Sequence, residues 1–156
     1  MKNTFKKRFV FCFSLFLVAF FSVNSTWKYA ENCLLKVTVH NIKASQGRIR
    51  VAIYNSSATF LDSKKYFSIQ AAPTNGQSSV TLGFSLPYGD YAFTAYHDLN
   101  DNKNLDRSSL GVPEEPYSLS NGVNVKWRKP TFSECKVRVS QTNQDADLHL
   151  RLWSDR

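Results

Sequence analysis

Hydrophobic and polar positions alternate along most of this chain, with a period of two rather than the three-to-four spacing of a helix. Leu35, Val37 and Val39 alternate with Lys36, Thr38 and His40, and Ile49, Val51 and Ile53 alternate with Arg48, Arg50 and Ala52. A polar turn, Lys43 to Gly47, separates the two sets, which predicts an opening hairpin with one buried face. Ser56 to Lys65 is less regular and suits a turn or short helix with Phe60 and Leu61 tucked inward. Phe67 to Ala71 reads as a weak strand, and Thr74-Asn75-Gly76-Gln77 as a turn. Val80, Leu82, Phe84 and Leu86 form the next set, and the turn Pro87-Tyr88-Gly89-Asp90 leads to Tyr91, Phe93 and Ala95, a second predicted hairpin. Val137 and Val139, a turn at Gln141 to Gln144, and Leu148, Leu150 and Leu152 close the chain. The expectation is an all-β fold, a single antiparallel β-sandwich of about seven strands. Between its strands runs a long Asp/Asn-rich loop within residues 98–131, and loops of that length inside a compact domain are often functional.

The beginning of the chain departs from this pattern. Lys2, Lys6, Lys7 and Arg8 form a basic head, and Phe9 to Phe21 is apolar apart from Ser14. That is the layout of a secretory signal peptide, and it falls short of the roughly 20 apolar residues a membrane span needs. Val23 and Ser25 suit a signal peptidase, so residues 1–25 are expected to be the leader and residues 26–156 the exported domain. Cleavage after Ala30 is the alternative, and an uncleaved anchor is a third. No lipobox-like run precedes Cys33. The expected address is periplasmic or secreted, with no stable membrane span once the leader is gone.

The leader changes the charge. The chain has 20 basic and 12 acidic side chains, a net +8. Four of the basic residues and none of the acids lie in the leader, so the remainder carries 16 against 12, or +4. This modest balance, without a Lys/Arg run resembling a nucleic-acid patch, gives no ground for a nucleic-acid partner. Export also bears on the cysteines. Cys12 leaves with the leader, and Cys33 and Cys135 each open a period-two stretch. In an oxidising compartment they could pair if those stretches lie side by side, or remain two buried thiols.

Candidate chemistry concentrates in His97-Asp98-Leu99-Asn100-Asp101-Asn102-Lys103-Asn104-Leu105-Asp106. Oxygen-bearing side chains at Asp98, Asn100, Asn102, Asn104 and Asp106 follow the alternate spacing of a calcium loop. Such a loop winds tightly so that every second residue faces a cation taking about six to eight hard oxygens. Lys103 stands where that loop usually has glycine, and Ser109 stands where its closing glutamate would be, although Glu114 or Glu115 could supply a carboxylate from further along. The other reading is an Asx-rich turn whose side chains cap their own backbone. Ca2+ is thus the one candidate cofactor.

The order of residues across the chain resembles a known family. It comprises Gly47-x-Ile49-x-Val51-Ala52-Ile53-Tyr54 with Phe60, Gly89-Asp90-Tyr91-Ala92, and His97-Asp98-x-Asn100-x-Asn102-x-x-Leu105-Asp106. Leu110-Gly111-Val112-Pro113-x-Glu115-x-Tyr117-x-x-Ser120-Asn121 and Pro130-x-Phe132 follow. This resembles the DUF2141 family of exported bacterial proteins of unknown function. The resemblance implies a sandwich like those of transthyretin-like or carboxypeptidase-regulatory-like domains, which are accessory or binding modules. It also implies that His97, Asp98, Asn100, Asn102, Asp106 and Glu115 are signature polar positions. Lys103, Pro116 and Ser118 replace glycines of the family pattern.

Three functions compete. The first is an exported, non-catalytic binding or accessory module whose working surface is the 98–121 loop. Tyr88, Tyr96, Tyr117 and Trp127 in or near turns are candidates for stacking a carbohydrate or peptide. The second is a hydrolase using His97 with Asp98 or Asp106, although the chain has only two other histidines, His40 and His149, and no Gly-x-Ser-x-Gly or His-Glu-x-x-His motif. The third is a structural envelope protein held to envelope partners through an exposed strand edge.

Overall fold

A computed structural model describes residues 32–155. The leader and its cleavage point lie outside the described residues. Eight strands follow in order: β1 (Asn32–His40), β2 (Arg48–Tyr54), β3 (Ser68–Pro73), β4 (Ser79–Pro87), β5 (Gly89–Asp98), β6 (Tyr117–Leu119), β7 (Lys136–Val139) and β8 (Asp145–His149). A 3-10 turn, Ser120–Gly122, follows β6, and a one-turn helix, α1 (Phe132–Cys135), precedes β7. Among the described residues no helix is long and apolar enough to cross a membrane.

The strands form two packed sheets. One has the order β4-β1-β8, and the other the order β3-β2-β5-β6 with β7 also paired to β5. β5 is the axis of the larger sheet. β2 lies along one side of it, while β7 pairs with its first residues, Gly89 to Ala92, and β6 with Thr94 to Tyr96. The alternation along β1 and β4 puts Leu35, Val37, Val39, Phe84 and Leu86 into the interior, against Ile49, Val51, Ile53 and Phe93 of the facing sheet. These branched and aromatic side chains suit a pleated surface buried on one side.

The expected all-β sandwich is therefore present, with one strand more than expected and three differences in connectivity. β1 and β2 do not pair as a hairpin, and neither do β4 and β5. In each case the turn carries the chain from one sheet to the other. Alternation fixes which face of a strand is buried, and it is equally satisfied by pairing beside a neighbour or by packing across the interior. The sandwich is also not wholly antiparallel, because β1 and β8 run parallel, Lys36 opposite Asp145 through His40 opposite His149. Residues 98–131 are less irregular than expected, since they contain β6 and the 3-10 turn.

The cysteine expectation is also corrected. Cys33 and Cys135 are both buried free thiols. Cys33 belongs to β1 and the sandwich interior. Cys135 ends α1 and packs with Ala92 and Leu119, a second apolar cluster backed by Phe60, Leu61 and Phe132. Ala92 sits on β5 between Tyr91 and Phe93, whose side chains enter the main core, so it points to the other face. The larger sheet thus stands between the two sulfurs. The stretches that carry them are in different sheets and never lie side by side.

The second cluster depends on α1. Thr131 caps it, accepting the Glu134 N–H while the Glu134 carboxylate accepts the Thr131 N–H. That carboxylate is also gripped by both terminal nitrogens of Arg128. Arg128 first, then Thr131, pulls the Glu134 carboxyl down to about 2.

Two outcomes are expected. Alkylation without reductant should label neither Cys33 nor Cys135 in the native protein and both after denaturation. Burial, which pushes the Cys135 thiol up to about 11, reinforces the native inertness. A Cys33–Cys135 cross-linked peptide would contradict the arrangement. Because the Glu134 pKa is depressed in the fold, its stabilisation is complete above the ordinary carboxylate value and is lost as pH falls toward about 2. Glu134→Gln should therefore lower stability at neutral pH and flatten the acid limb of a pH–stability curve, and an unchanged acid limb would count against this role.

Candidate functional site

Asp98 is the last residue of β5 and has no exposed surface. Burying a carboxylate is costly unless charge and hydrogen bonds meet it. Arg50 of β2 meets the charge. The register places Arg48 opposite Asp98, so Arg50, two residues on, is its diagonal neighbour on the outer face. Its Nε lies 2.5 Å from Asp98 Oδ2, and its Nη2 lies 2.6 Å from Asp101 Oδ1. Burial works against the guanidinium charge, but the hydrogen bond and charge of Asp98, with Asp101, outweigh it and hold Arg50 above its ordinary pKa.

The rest of the loop winds on the same carboxylate. Asp98 Oδ1 accepts the Asn102 N–H at 3.0 Å, and Oδ2 accepts the Lys103 N–H at 2.9 Å. Asn100 Oδ1 also accepts the Asn102 N–H at 3.1 Å, and Asn102 Oδ1 accepts the Asn104 N–H at 2.8 Å. The side-chain amides of Asn100 and Asn102 donate to the two oxygens of Asp106, at 2.8 and 2.7 Å. A small hairpin then turns at Gly111, with Asp106 O accepting the Glu114 N–H at 2.9 Å. This return places Glu115, 3 % exposed, beneath the loop. Its Oε1 accepts the Leu99 N–H at 2.8 Å and its Oε2 the Asp106 N–H at 3.1 Å.

Asp98, Asn100, Asn102, Asn104, Asp106 and Glu115 therefore do come together, and each finds protein partners. Asn104 donates its amide to the Asn102 carbonyl at 3.0 Å. Of the two readings of this spacing, the Asx-rich turn describes the hydrogen bonds present. Among the described residues no group of three or more His, Cys, Asp or Glu stands where it could hold a metal. Asp98, the expected first calcium ligand, has an arginine on its Oδ2.

His97 plays a different part. Consecutive residues of a strand point to opposite faces, so His97 turns into the interior while Asp98 turns outward. His97 is 1 % exposed, and its Nε2 lies 2.8 Å from the Gln46 carbonyl. The 43–47 turn is thereby fastened to the end of β5. Gly47 completes the contact. It has φ +82°, and a Cβ there would stand 2.4 Å from the Asp98 carbonyl oxygen, so a side chain is excluded both by conformation and by space.

Beside Arg50, the outer face carries a shallow groove of about 350 Å3 lined by Arg50, Ser63, Tyr66, Ile69 and Lys103 among others. Tyr66 is 41 % exposed. Arg50 is committed to Asp98 and Asp101, and Lys103 makes no ion pair among the described residues. Tyr96 lies on the same outer face, paired with Arg50 in register, and burial pushes its phenol up to about 12.

A family model described as an uncharacterized protein conserved in bacteria (DUF2141) matches residues 37–147. The chain belongs to that family. No curated protein and no solved structure matches it. The DUF2141 match runs from β1 to β8 and so takes in Arg50, Asp98 and Glu115. The residues that reading the DUF2141 sequence for chemistry missed are Arg50, Gln46 and Tyr66. Only Arg50 left a signal there, as a charge in a strand whose neighbours Ile49 and Val51 are interior residues; arginine is seldom buried without a partner.

Arg50→Met should destabilise the DUF2141 domain by about 3–5 kcal/mol in urea titration, the range for leaving a buried charge unpaired. Removing both charges in Arg50→Met with Asp98→Asn should cost less than the sum of the single changes. Strict additivity would show that the pair does not couple. With Asp98 held by Arg50 and Asp106 capped by the asparagine amides, millimolar calcium is expected to raise the wild-type melting temperature by less than about 2 °C. A larger rise abolished by Asp98→Ala would give the loop to the ion instead.

Proposed function

We propose that this protein is a non-catalytic binding module acting outside the cytoplasm, and that its ligand carries a carboxylate or similar anion seated in the groove beside the Asp98 loop. The observation that carries the reading is the combination at that groove. Lys103 makes no ion pair among the described residues, whereas the other charged residues of the 98–106 stretch, Asp98, Asp101 and Asp106, are engaged, and the half-exposed Tyr66 ring lines the same groove. Arg50 is neutralised by Asp98 and Asp101, so Lys103 is the cation the groove offers, and the hydrogen-bonded loop fixes its backbone before any ligand arrives, which lowers the ordering cost of binding. Acidic sugars fit this chemistry: the ring stacks on tyrosine and the acid meets lysine. Calcium, in this reading, is an optional ligand of the outward oxygens of Asn100, Asn102 and Asp106 and not what holds the loop. The export assignment rests on the leader alone.

The hydrolase alternative is less well supported. It needs His97 and Asp98 to act on one substrate, and they leave opposite faces of β5, one of them bound to Gln46 and the other to Arg50. The envelope alternative has no comparable feature behind it.

The test is a calorimetric and NMR titration with uronic-acid oligosaccharides and their neutral counterparts. Binding is expected for the acidic series only, with shifts at Tyr66 and Lys103, and should be lost in Lys103→Glu and weakened in Tyr66→Ala. Equal binding of neutral sugars, or acidic binding unaffected by Lys103→Glu, would refute the groove. Turnover on an esterase or phosphatase panel that disappears in His97→Ala would replace the reading with an enzymatic one.

A further inference from the structure

Trp127 is 91 % exposed, the highest among the large apolar side chains of the described residues. An indole left in water is an unfavourable use of the side chain that can hide the most apolar area. Trp127 is nevertheless held in place. Its ring meets that of Trp153 edge to face, with centroids 6.2 Å apart at 90°. Lys126 Nζ lies 5.6 Å over the Trp153 ring and donates to the Trp153 carbonyl at 2.7 Å. The C-terminal segment therefore braces the 126–129 loop from behind and presents Trp127 outward.

The residues around it are cationic. Lys126, Arg128 and Lys129 flank the indole in sequence. Arg128 shares its charge with Glu134, while Lys129 is exposed and makes no ion pair among the described residues. Beyond α1, whose Glu134 holds Arg128, β7 carries two further cations, Lys136 and Arg138, which together flank a single acid, Asp90, at 3.2 and 3.1 Å. Five basic side chains on the 126–129 loop and β7 thus stand against three acids, Glu134, Asp90 and Asp155, the last beside Lys126.

We infer that Trp127 and its basic surround form a docking surface for an anionic lipid headgroup layer. Charge complementarity favours that occupant. The flanking side chains are donors only, spread over a loop and a strand, which suits a plane of repeated negative charge better than one ligand with its own donors. Tryptophan settles at the headgroup level of a membrane, lysine and arginine are drawn to anionic leaflets, and stable attachment takes two such weak signals together. This inference is independent of the groove.

The test uses the exported protein with vesicles of three parts phosphatidylethanolamine to one part phosphatidylglycerol, against phosphatidylcholine vesicles. Trp127 is followed by fluorine NMR of 5-fluorotryptophan, its resonance assigned by loss in Trp127→Phe. Binding to the anionic vesicles should broaden the Trp127 signal, should weaken on the order of fivefold or more in Trp127→Ala and in Lys129→Glu, and should fall in about 0.5 M NaCl. Both variants should melt as the wild type does, because the altered side chains are exposed. Equal vesicle binding by wild type and Trp127→Ala, a Trp127 signal unmoved by anionic vesicles, or equal binding to phosphatidylcholine would overturn it. So would Trp127-dependent retention on an anionic glycan with none on the vesicles.

Discussion

Asp98 stands where β5 stops being a strand, has no contact with water, and is held by a guanidinium from the neighbouring strand. Two buried charges in contact contribute little net stability by themselves, because desolvation consumes most of their attraction. What the pair does is make every other arrangement worse. A loop that pulled away would expose Arg50 to an apolar strand without its partner, and a sheet that slipped by one residue between β2 and β5 would move Arg50 to the interior face. The register of the larger sheet and the winding of the loop are thus specified by the same contact.

From that contact the loop closes step by step. Asp101 and Lys103 adopt φ of +56° and +69°, a left-handed conformation that costs a side-chain-bearing residue about 1 kcal/mol or more each. Lys103 replaces the glycine that such a position usually takes. The structure tolerates it because the Lys103 N–H donates to Asp98 and the Asp101 carboxylate accepts from Arg50 Nη2. Ser118, which also replaces a glycine of the family pattern, is a buried residue of β6, and the carbonyl of Pro116 accepts the His97 N–H at 2.9 Å. Of the three, only Lys103 sits in the left-handed region, and there the hydrogen bond to Asp98 carries the geometry that glycine would otherwise permit.

This explains how far the sequence could be read. The alternation in β1, β2, β4 and β5 was legible because burial on one face leaves a local, period-two trace. Pairing was not, because β1 meets β4 and β8, and β2 meets β3 and β5, across separations on which local pattern is silent. The same limit governs the site. Asp98, Asn100, Asn102 and Asp106 were visible as a spacing. Arg50, 48 positions earlier, becomes their partner only through the β2–β5 register. Glu115 was visible as a candidate carboxylate, yet its work is done on two backbone N–H groups, a partner type that leaves no trace in side-chain identity.

A loop with this spacing can be held from two sides, by a cation entering from solvent or by one supplied from the sheet. The choice alters what the domain can do. A solvent cation would draw the oxygens of Asn100, Asn102 and Asp106 inward and make the loop sensitive to its surroundings. Arg50 holds Asp98 Oδ2, and the asparagine amides cap Asp106. The Lys103 side chain is then left over, presented at the groove by a backbone that is already closed. A lysine accepted in a glycine's place, at a conformational cost borne by Asp98, is the part of this loop that folding alone does not require.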